Sequence, residues 1–265
     1  MEVFTLSNII VLKCGGSTID ELSDRFFSNL LTLMESGMKV IIVHGGGPAI
    51  QQMLTKLNIE SEFIDGLRKT TAPVMDVVEM VLTGTVNNDF VRKLNQAGID
   101  AIGLSGSDAQ LMTAQPLDLE RYGHVGEITE INEALLTSLL EQYIVPVIAP
   151  IAIGRDGTRY NVNADTVAGA VAKSVGANQL VFVTDVPGIL KDDQLLETVT
   201  VEEVEQLIKE GTIYGGMLPK VKAAVQRLSE QLQEAMIVDG TLQSEITKDN
   251  RFVGTVIKKT PAEVV

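Results

Sequence analysis

The chain has no tryptophan, one cysteine and two histidines in 265 residues, and aromatic residues make up only 4% of it. A single cysteine, Cys14, excludes an internal disulfide and fits a reducing compartment. No Cys–His motif accompanies it, so Cys14 is not read as a nucleophile, although Lys13 and Gly15 flank it. Cationic residues are also scarce: Lys plus Arg number 21 against 35 Asp plus Glu, a formal net charge of −14. That balance excludes a general nucleic-acid or anionic-membrane surface, and any phosphate site has to be built from a few placed Lys and Arg. The longest apolar run, residues 144–153, is broken by Pro146 and Pro150 and is too short to span a bilayer. Residues 1–8 lack a basic region followed by an apolar stretch, so no signal peptide is expected and the cytoplasm is the expected compartment.

What the chain does have is a pair of glycine-rich turns, each on the end of a short apolar run. The first reads Ile9-Ile10-Val11-Leu12-Lys13-Cys14-Gly15-Gly16-Ser17, the second Val40-Ile41-Ile42-Val43-His44-Gly45-Gly46-Gly47-Pro48. Such β-branched runs fit strands buried on both faces of a parallel sheet. Glycines at the carboxyl end of a strand, ahead of a helix, let backbone N–H groups close on an anion. Two such turns suggest two anionic groups held near each other, and the lysine in the first makes phosphoryl chemistry the leading hypothesis.

Helical and strand patterns alternate along the rest of the chain. Helices are expected over residues 20–36, 48–57, 73–96, 132–142, 165–175 and 219–233, and from a capping box at Thr200-Val201-Glu202-Glu203 to Glu210. Strands are expected at 101–104, 145–149, 180–184, 235–238 and 252–257, with a hairpin or flap at 111–131 and a hairpin turn at 154–157. Alternation of this kind implies a largely parallel sheet covered on both faces, with ligands beyond the carboxyl ends of its strands.

Several side chains could carry chemistry there. Lys13 could offset charge on a transferring phosphoryl group, or be a surface lysine at a strand end. Gly45, Gly46 and Gly47 precede a helix N-terminus suited to a carboxylate or phosphate, whereas His44 reads as a structural hydrogen-bonding residue. Arg68, in Gly66-Leu67-Arg68, suits bidentate binding of a carboxylate, although exposed loop arginines are common. Asn161, Asn163 and Asp165 alternate before a small-residue helix. In an extended segment they project to one side and could line a site, although one of them could serve simply as a helix cap. Lys220 sits in a first helical turn, where a cation opposes the helix dipole unless something anionic is bound.

In this order the motifs resemble the amino-acid kinase family, and within it the branch acting on N-acetyl-L-glutamate. The resemblance covers nearly the whole chain through Lys-x-Gly-Gly at 13–16, His-Gly-Gly-Gly at 44–47, Gly-Leu-Arg at 66–68, Asn-x-Asn-x-Asp at 161–165 and Gly-Met-x-x-Lys at 216–220. It implies an open α/β fold, an αβα sandwich on a mainly parallel sheet of roughly eight strands. Residues 1–175 would form a lobe for the acyl amino acid and dimerisation, and residues 176–265 a lobe for ATP. Carried over, Lys13 and Lys220 stabilise the transferring phosphoryl group, Gly16 donates an N–H and Asp165 orients both lysines. Gly46, Gly47, Arg68, Asn161 and Asn163 hold the acyl substrate. Asp185, Val186, Gly188, Ile189, Leu190, Thr212, Ile213 and Tyr214 line the nucleotide pocket.

The implied reaction is ATP-dependent phosphorylation of the γ-carboxylate of N-acetyl-L-glutamate, in arginine synthesis. No carboxylate cluster marks a metal cage, so Mg²⁺ is expected to travel mainly on the ATP phosphates. The rivals are a kinase of an aminoadipate derivative, one methylene longer, and a non-catalytic small-molecule-binding module. A dinucleotide-dependent oxidoreductase is disfavoured because no Gly-x-Gly-x-x-Gly follows the first strand. In the family it resembles, arginine inhibition goes with an additional N-terminal helix. With only residues 1–7 ahead of the first strand, a homodimer that arginine does not inhibit is expected, and the apolar face of the 73–96 helix, with Val77, Val78, Val81 and Leu82, is either its joining surface or covered within the monomer.

Overall fold

The first apolar run becomes the centre of the molecule. In the computed structural model, which describes residues 8–229, 232–241, 246–247 and 252–259, strand Ile9–Cys14 pairs in parallel with Lys39–His44 on one side and Gln179–Thr184 on the other. Every residue of it except Lys13 is buried. Side chains alternate between the faces of a strand, so Ile9 and Val11 enter one core while Ile10, Leu12 and Cys14 enter the other. A strand that feeds two cores has no polar face, which is why the run is apolar except for Lys13 near its end.

From this centre the sheet continues through Val145–Ile148 to an edge at Ala101–Leu104. In the other direction it passes through Glu234–Asp239 and Gly254–Lys258 to Thr198–Thr200, for eight strands in all. Six run parallel, while Gly254–Lys258 and its neighbour Thr198–Thr200 run the opposite way. Helices Glu133–Glu141, Ala164–Ser174, Val201–Lys209 and Met217–Arg227 cover one face. Asp24–Glu35, Gly47–Lys56 and the long rod 72–96 cover the other. The sheet covered on both faces that the alternation implied, and the αβα sandwich that the resemblance implied, are therefore present.

A second sheet of four strands carries the polar segment. Met112–Pro116 and Gly126–Ile131 form the anticipated hairpin around a short helix, Leu119–Tyr122, and Ile151–Ile153 and Arg159–Asn161 join them across the expected 154–157 turn. Among the described residues no helix is long and apolar enough to cross a membrane.

Some boundaries differ for identifiable reasons. The first helix begins at Asp24 rather than residue 20, because the Ser23 side chain accepts from the Phe26 N–H and restarts the chain after a 3-10 turn at Ile19–Glu21. The helix expected over 219–233 is Met217–Arg227 and stops where Leu228 turns extended; residues 230 and 231 of that expectation lie outside the described residues, as does the N-terminal segment 1–7. The rod 72–96 is continuous, but Met80–Val86 within it is wound as a π-helix. Its residues Val77, Val78, Val81 and Leu82, candidates for a joining surface, are at most 2% exposed and pack in the core beneath the sheet. They are occupied within the monomer and offer no surface to a second subunit.

Candidate active site

Because Cys14 and His44 end adjacent strands in register, the glycine turns that follow them meet. A Cβ on Gly16 would lie 2.4 Å from Gly46 N, and one on Gly46 would lie 2.4 Å from Leu82 Cδ2. Only glycine permits this approach. Helix Gly47–Lys56 starts at the meeting point with Pro48 in its first turn and no side-chain cap at Gly46, so its N-terminus is left for an external acceptor. His44 is fully buried, and burial pushes its pKa down to about 4. It is a neutral hydrogen-bonding residue at physiological pH, as read from the sequence. Burial pushes the Cys14 thiol up to about 12, which leaves it inert as a nucleophile.

Two ion pairs face the turns. Lys13, on the central strand, holds Asp165 of the first turn of Ala164–Ser174, with Nζ 2.9 Å from Oδ1. Lys220, in the first turn of Met217–Arg227, donates to Asp185 at the end of Gln179–Thr184. This lysine holds the Asp185 carboxyl below the usual carboxylate range. Asp165 therefore engages one lysine rather than the two the resemblance implied, and Asp185 takes the other. Both pairs, with Gly15, Gly16, Ser17 and Pro48, line a cleft of about 300 Å³.

On one side of that cleft a pocket of about 190 Å³ lies against the second glycine turn. Arg68 reaches it from a two-strand hairpin, Phe63–Ile64 with Leu67–Arg68, too short for a sequence pattern to reveal. Its guanidinium donates to Gln51 Oε1 at 2.8 Å and Ser61 Oγ at 2.6 Å, and lies 4.6 Å from the centre of the Phe63 ring. Arg68 is only 7% exposed and, among the described residues, no carboxylate pairs with it. A buried cation with neutral partners is a ready binding site for an anion.

Asn161 and Asn163 line the same pocket, but the period-two reading holds only in part. Asn161 donates to Thr70 Oγ1 at 3.1 Å. Asn163 is the helix cap, its Oδ1 accepting from the N–H groups of Asp165 and Thr166 at 2.8 and 3.2 Å. The chain turns helical at Ala164, so Asp165 leaves the row and faces the lysine cleft instead. The apolar wall of this pocket, Ile50, Leu82 and Val125, carried no signal of its own: Ile50 and Val125 read as ordinary core, and Leu82 read as part of an apolar helix face.

On the other side of the lysine cleft is a pocket of about 700 Å³ lined by residues 185–193, Thr212, Ile213, Tyr214, Gly216, Met217 and Lys220. It contains every residue assigned to the nucleotide: Asp185, Val186, Gly188, Ile189, Leu190, Thr212, Ile213 and Tyr214. It adds Lys191, Asp192 and Asp193 from a hairpin of two-residue strands whose turn residues Asp192 and Asp193 both have positive φ. No Asn-Gly or Asp-Gly signal marked that turn.

Residues 8–239 match the amino acid kinase family. The chain is 51% identical over 254 residues, 96% of its own length and 98% of the relative's, to an acetylglutamate kinase of Geobacillus thermodenitrificans. It is 52% identical over 254 residues, 96% and 97% of the two lengths, to an acetylglutamate kinase of Halalkalibacterium halodurans. Among solved structures it is similar to smu.665 from Streptococcus mutans, with a TM-score of 0.80 and 32% identity over 94% of this chain and 98% of that one. Motifs, sheet order and full-length likeness agree: the chain belongs to the amino acid kinase family.

Proposed function

We infer that this chain transfers the γ-phosphoryl group of ATP to the γ-carboxylate of N-acetyl-L-glutamate, giving N-acetyl-L-glutamyl 5-phosphate and ADP, an early step of arginine synthesis. Near-full-length identity to enzymes named for that reaction supports it. The observation that carries it in the molecule is the buried Arg68, unpaired with any described carboxylate, one cleft away from two lysines.

In this reading Arg68 and Asn161 hold the acyl substrate, with N–H groups of Gly46 and Gly47 at the helix N-terminus completing the cradle and Asn163 bracing it. A γ-carboxylate is already ionised at neutral pH and needs no general base. Its oxygen attacks the γ-phosphorus while the bond to the ADP oxygen breaks. Lys13, held by Asp165, and the Gly16 N–H offset charge on the equatorial oxygens, and Lys220 exchanges Asp185 for phosphate. Catalysis is then alignment and charge neutralisation. Residues 1–175 supply the acyl pocket and residues 176–265 the nucleotide pocket, with closure of the two lobes excluding water from a hydrolysable acyl phosphate.

Mg²⁺ fits this donor set as a partner of the nucleotide. The two carboxylates at the cleft, Asp165 and Asp185, are each engaged by a lysine, so phosphate oxygens and water would hold the metal, with the carboxylates that line the nucleotide pocket, Asp185, Asp192 and Asp193, the protein donors available to it. The metal would neutralise phosphate charge. A cytoplasmic homodimer without arginine inhibition remains part of the proposal. Met80 and Ile102, 57% and 40% exposed on the long rod and the sheet edge, are the apolar groups offered there in place of the buried valines.

The test is acyl-phosphate trapping with hydroxylamine across N-acetylglutamate, glutamate, aspartate and N-acetylaminoadipate. Hydroxamate from N-acetylglutamate in preference to the others is expected. Preference for N-acetylaminoadipate, or no hydroxamate at all, overturns the reading.

A further inference from the structure

Asn87 and His44 are 4% and 0% exposed, and neither touches the substrate cradle directly. Asn87 follows the π-helical segment Met80–Val86, and its side chain reaches between the ends of three strands. Its Nδ2 donates to Val147 O at 2.8 Å. A carbonyl can only accept, so this bond fixes which way the amide faces. The second hydrogen of the same nitrogen then meets His44 Nε2 at 3.0 Å, which makes Nε2 an acceptor. The imidazole proton is left on Nδ1, which donates to Gly45 O at 2.9 Å. Burial holds the ring neutral, so this tautomer persists through the physiological range.

The last link is the peptide plane. Gly45 is held at both ends, its N–H by Cys14 O at 2.9 Å and its carbonyl by His44. In a trans peptide the C=O and the following N–H point in opposite directions. With Gly45 O drawn to His44, the Gly46 N–H is turned away from His44 and, among the described residues, no protein acceptor takes it. From the other side Leu82 and Val86 press on Gly46, lying 2.4 and 3.4 Å from where its Cβ would be. Room for Asn87 comes from Gly103, whose Cβ would fall 1.9 Å from Asn87 Oδ1.

We propose that Asn87 and His44 are positioning residues that aim the Gly46 N–H at the acyl substrate, through a relay in which the Val147 carbonyl sets the amide, the amide sets the tautomer and the tautomer sets the peptide plane. The role rests on the acyl-kinase reading for its substrate, but the tautomer does not. Nitrogen-15 imidazole spectra of the full chain, with His124→Gln used for assignment, should show His44 protonated on Nδ1 and unchanged from pH 5 to 8. His44→Leu, which removes the donor, and Asn87→Ala should each raise KM for N-acetylglutamate about tenfold while KM for ATP stays within twofold. His44→Asn keeps an N–H near the Nδ1 position and should recover most of that loss. An Nε2–H tautomer in the parent overturns the relay, as does equal loss for both substrates or failure of His44→Asn to improve on His44→Leu. Where His44→Leu does not fold, the parent spectrum and His44→Asn against the parent decide. A parent that makes no hydroxamate from N-acetylglutamate refutes the reaction, and the spectrum still judges the relay.

Discussion

The acyl pocket and the nucleotide pocket flank one lysine cleft but differ in size and in what lines them. The first holds about 190 Å³ and sets the buried Arg68 and the abutting glycine turns behind a rim that includes Phe63, 60% exposed. The second holds about 700 Å³, is formed by strand-end loops and a two-residue hairpin, and has Tyr214 74% and Leu190 41% exposed at its rim. The two lysines divide the same way. Lys13 stands on the central strand against Asp165, whose carboxylate side is 24% exposed, whereas Lys220 holds an Asp185 side chain that is 59% exposed. A small pocket whose Arg68 and Asn161 are already held by hydrogen bonds can discriminate small anions, because those groups have their direction before the ligand arrives. A larger pocket made of loops leaves more of its final shape to a ligand that brings its own charge.

The largest expected effect comes from removing the lysines. Lys13→Ala and Lys220→Ala should each lower kcat by roughly two decades or more. The comparison adds that only Lys220→Ala should also raise KM for ATP. If either variant folds and keeps its kcat, that lysine leaves the mechanism.

Acid should next act on the histidine buried beneath the glycine turns. The folded pKa of His44, about 4, lies below its ordinary 6.5. Its neutral form therefore contributes stability that is complete above pH 6.5 and is lost as pH falls toward 4. Chemical denaturation should show the parent losing about 2 kcal/mol more than His44→Asn between pH 7 and pH 4.5. Parallel losses would mean that this burial does not govern the acid limb.

Arg68→Lys sharpens the contrast within the acyl pocket. Loss of the planar fork should raise KM for N-acetylglutamate about tenfold and leave KM for ATP alone. Steady-state kinetics with each substrate varied in turn would expose a shared effect, which would count against a carboxylate clamp.

The smallest change is expected at Asp185. Lys220 lowers its pKa, so the pair stabilises the fold above the ordinary carboxylate range and weakens as pH falls through the folded value. The carboxylate of the pair is 59% exposed, and Asp185→Asn should shift the melting temperature by no more than about a degree, an effect of a few tenths of a kcal/mol. A larger drop would place Asp185 among the rigid supports.

What could be read from the residues follows the same division. Ile9–Cys14 and Lys39–His44 were legible because burial on both faces leaves the middle of a strand apolar, and their glycine turns were legible because two backbone turns could not otherwise come this close. Lys220 stood out as a cation in the wrong turn of a helix, but its balancing partner, Asp185, lies 35 residues away and no local pattern carries it. The π-wound Met80–Val86 was hidden inside a helical rod, since seven residues are too few to separate its period from that of an α-helix. For a related reason the sequence left open whether the apolar face of that rod is covered by a second subunit or within the monomer, and the structure covers it within the monomer. An amphipathic stripe declares that something covers it without saying whether the cover is the same chain.

The strand order also sets a timetable for folding. Thr198–Thr200 has one neighbour in the main sheet, Gly254–Lys258, and that strand must also settle against Glu234–Asp239. During synthesis, which proceeds from the N-terminus, the 198–200 segment leaves the ribosome with no strand to join until more than 50 further residues have been made. The central strand waits longer still, since Ile9–Cys14 gains its second partner only when Gln179–Thr184 emerges. The acyl side, complete in residues 45–164, can thus assemble on the nascent chain before the nucleotide side exists. Its late closure leaves the half-built sheet edge at Ile9–Cys14 as the surface on which chaperone capture and premature aggregation would compete.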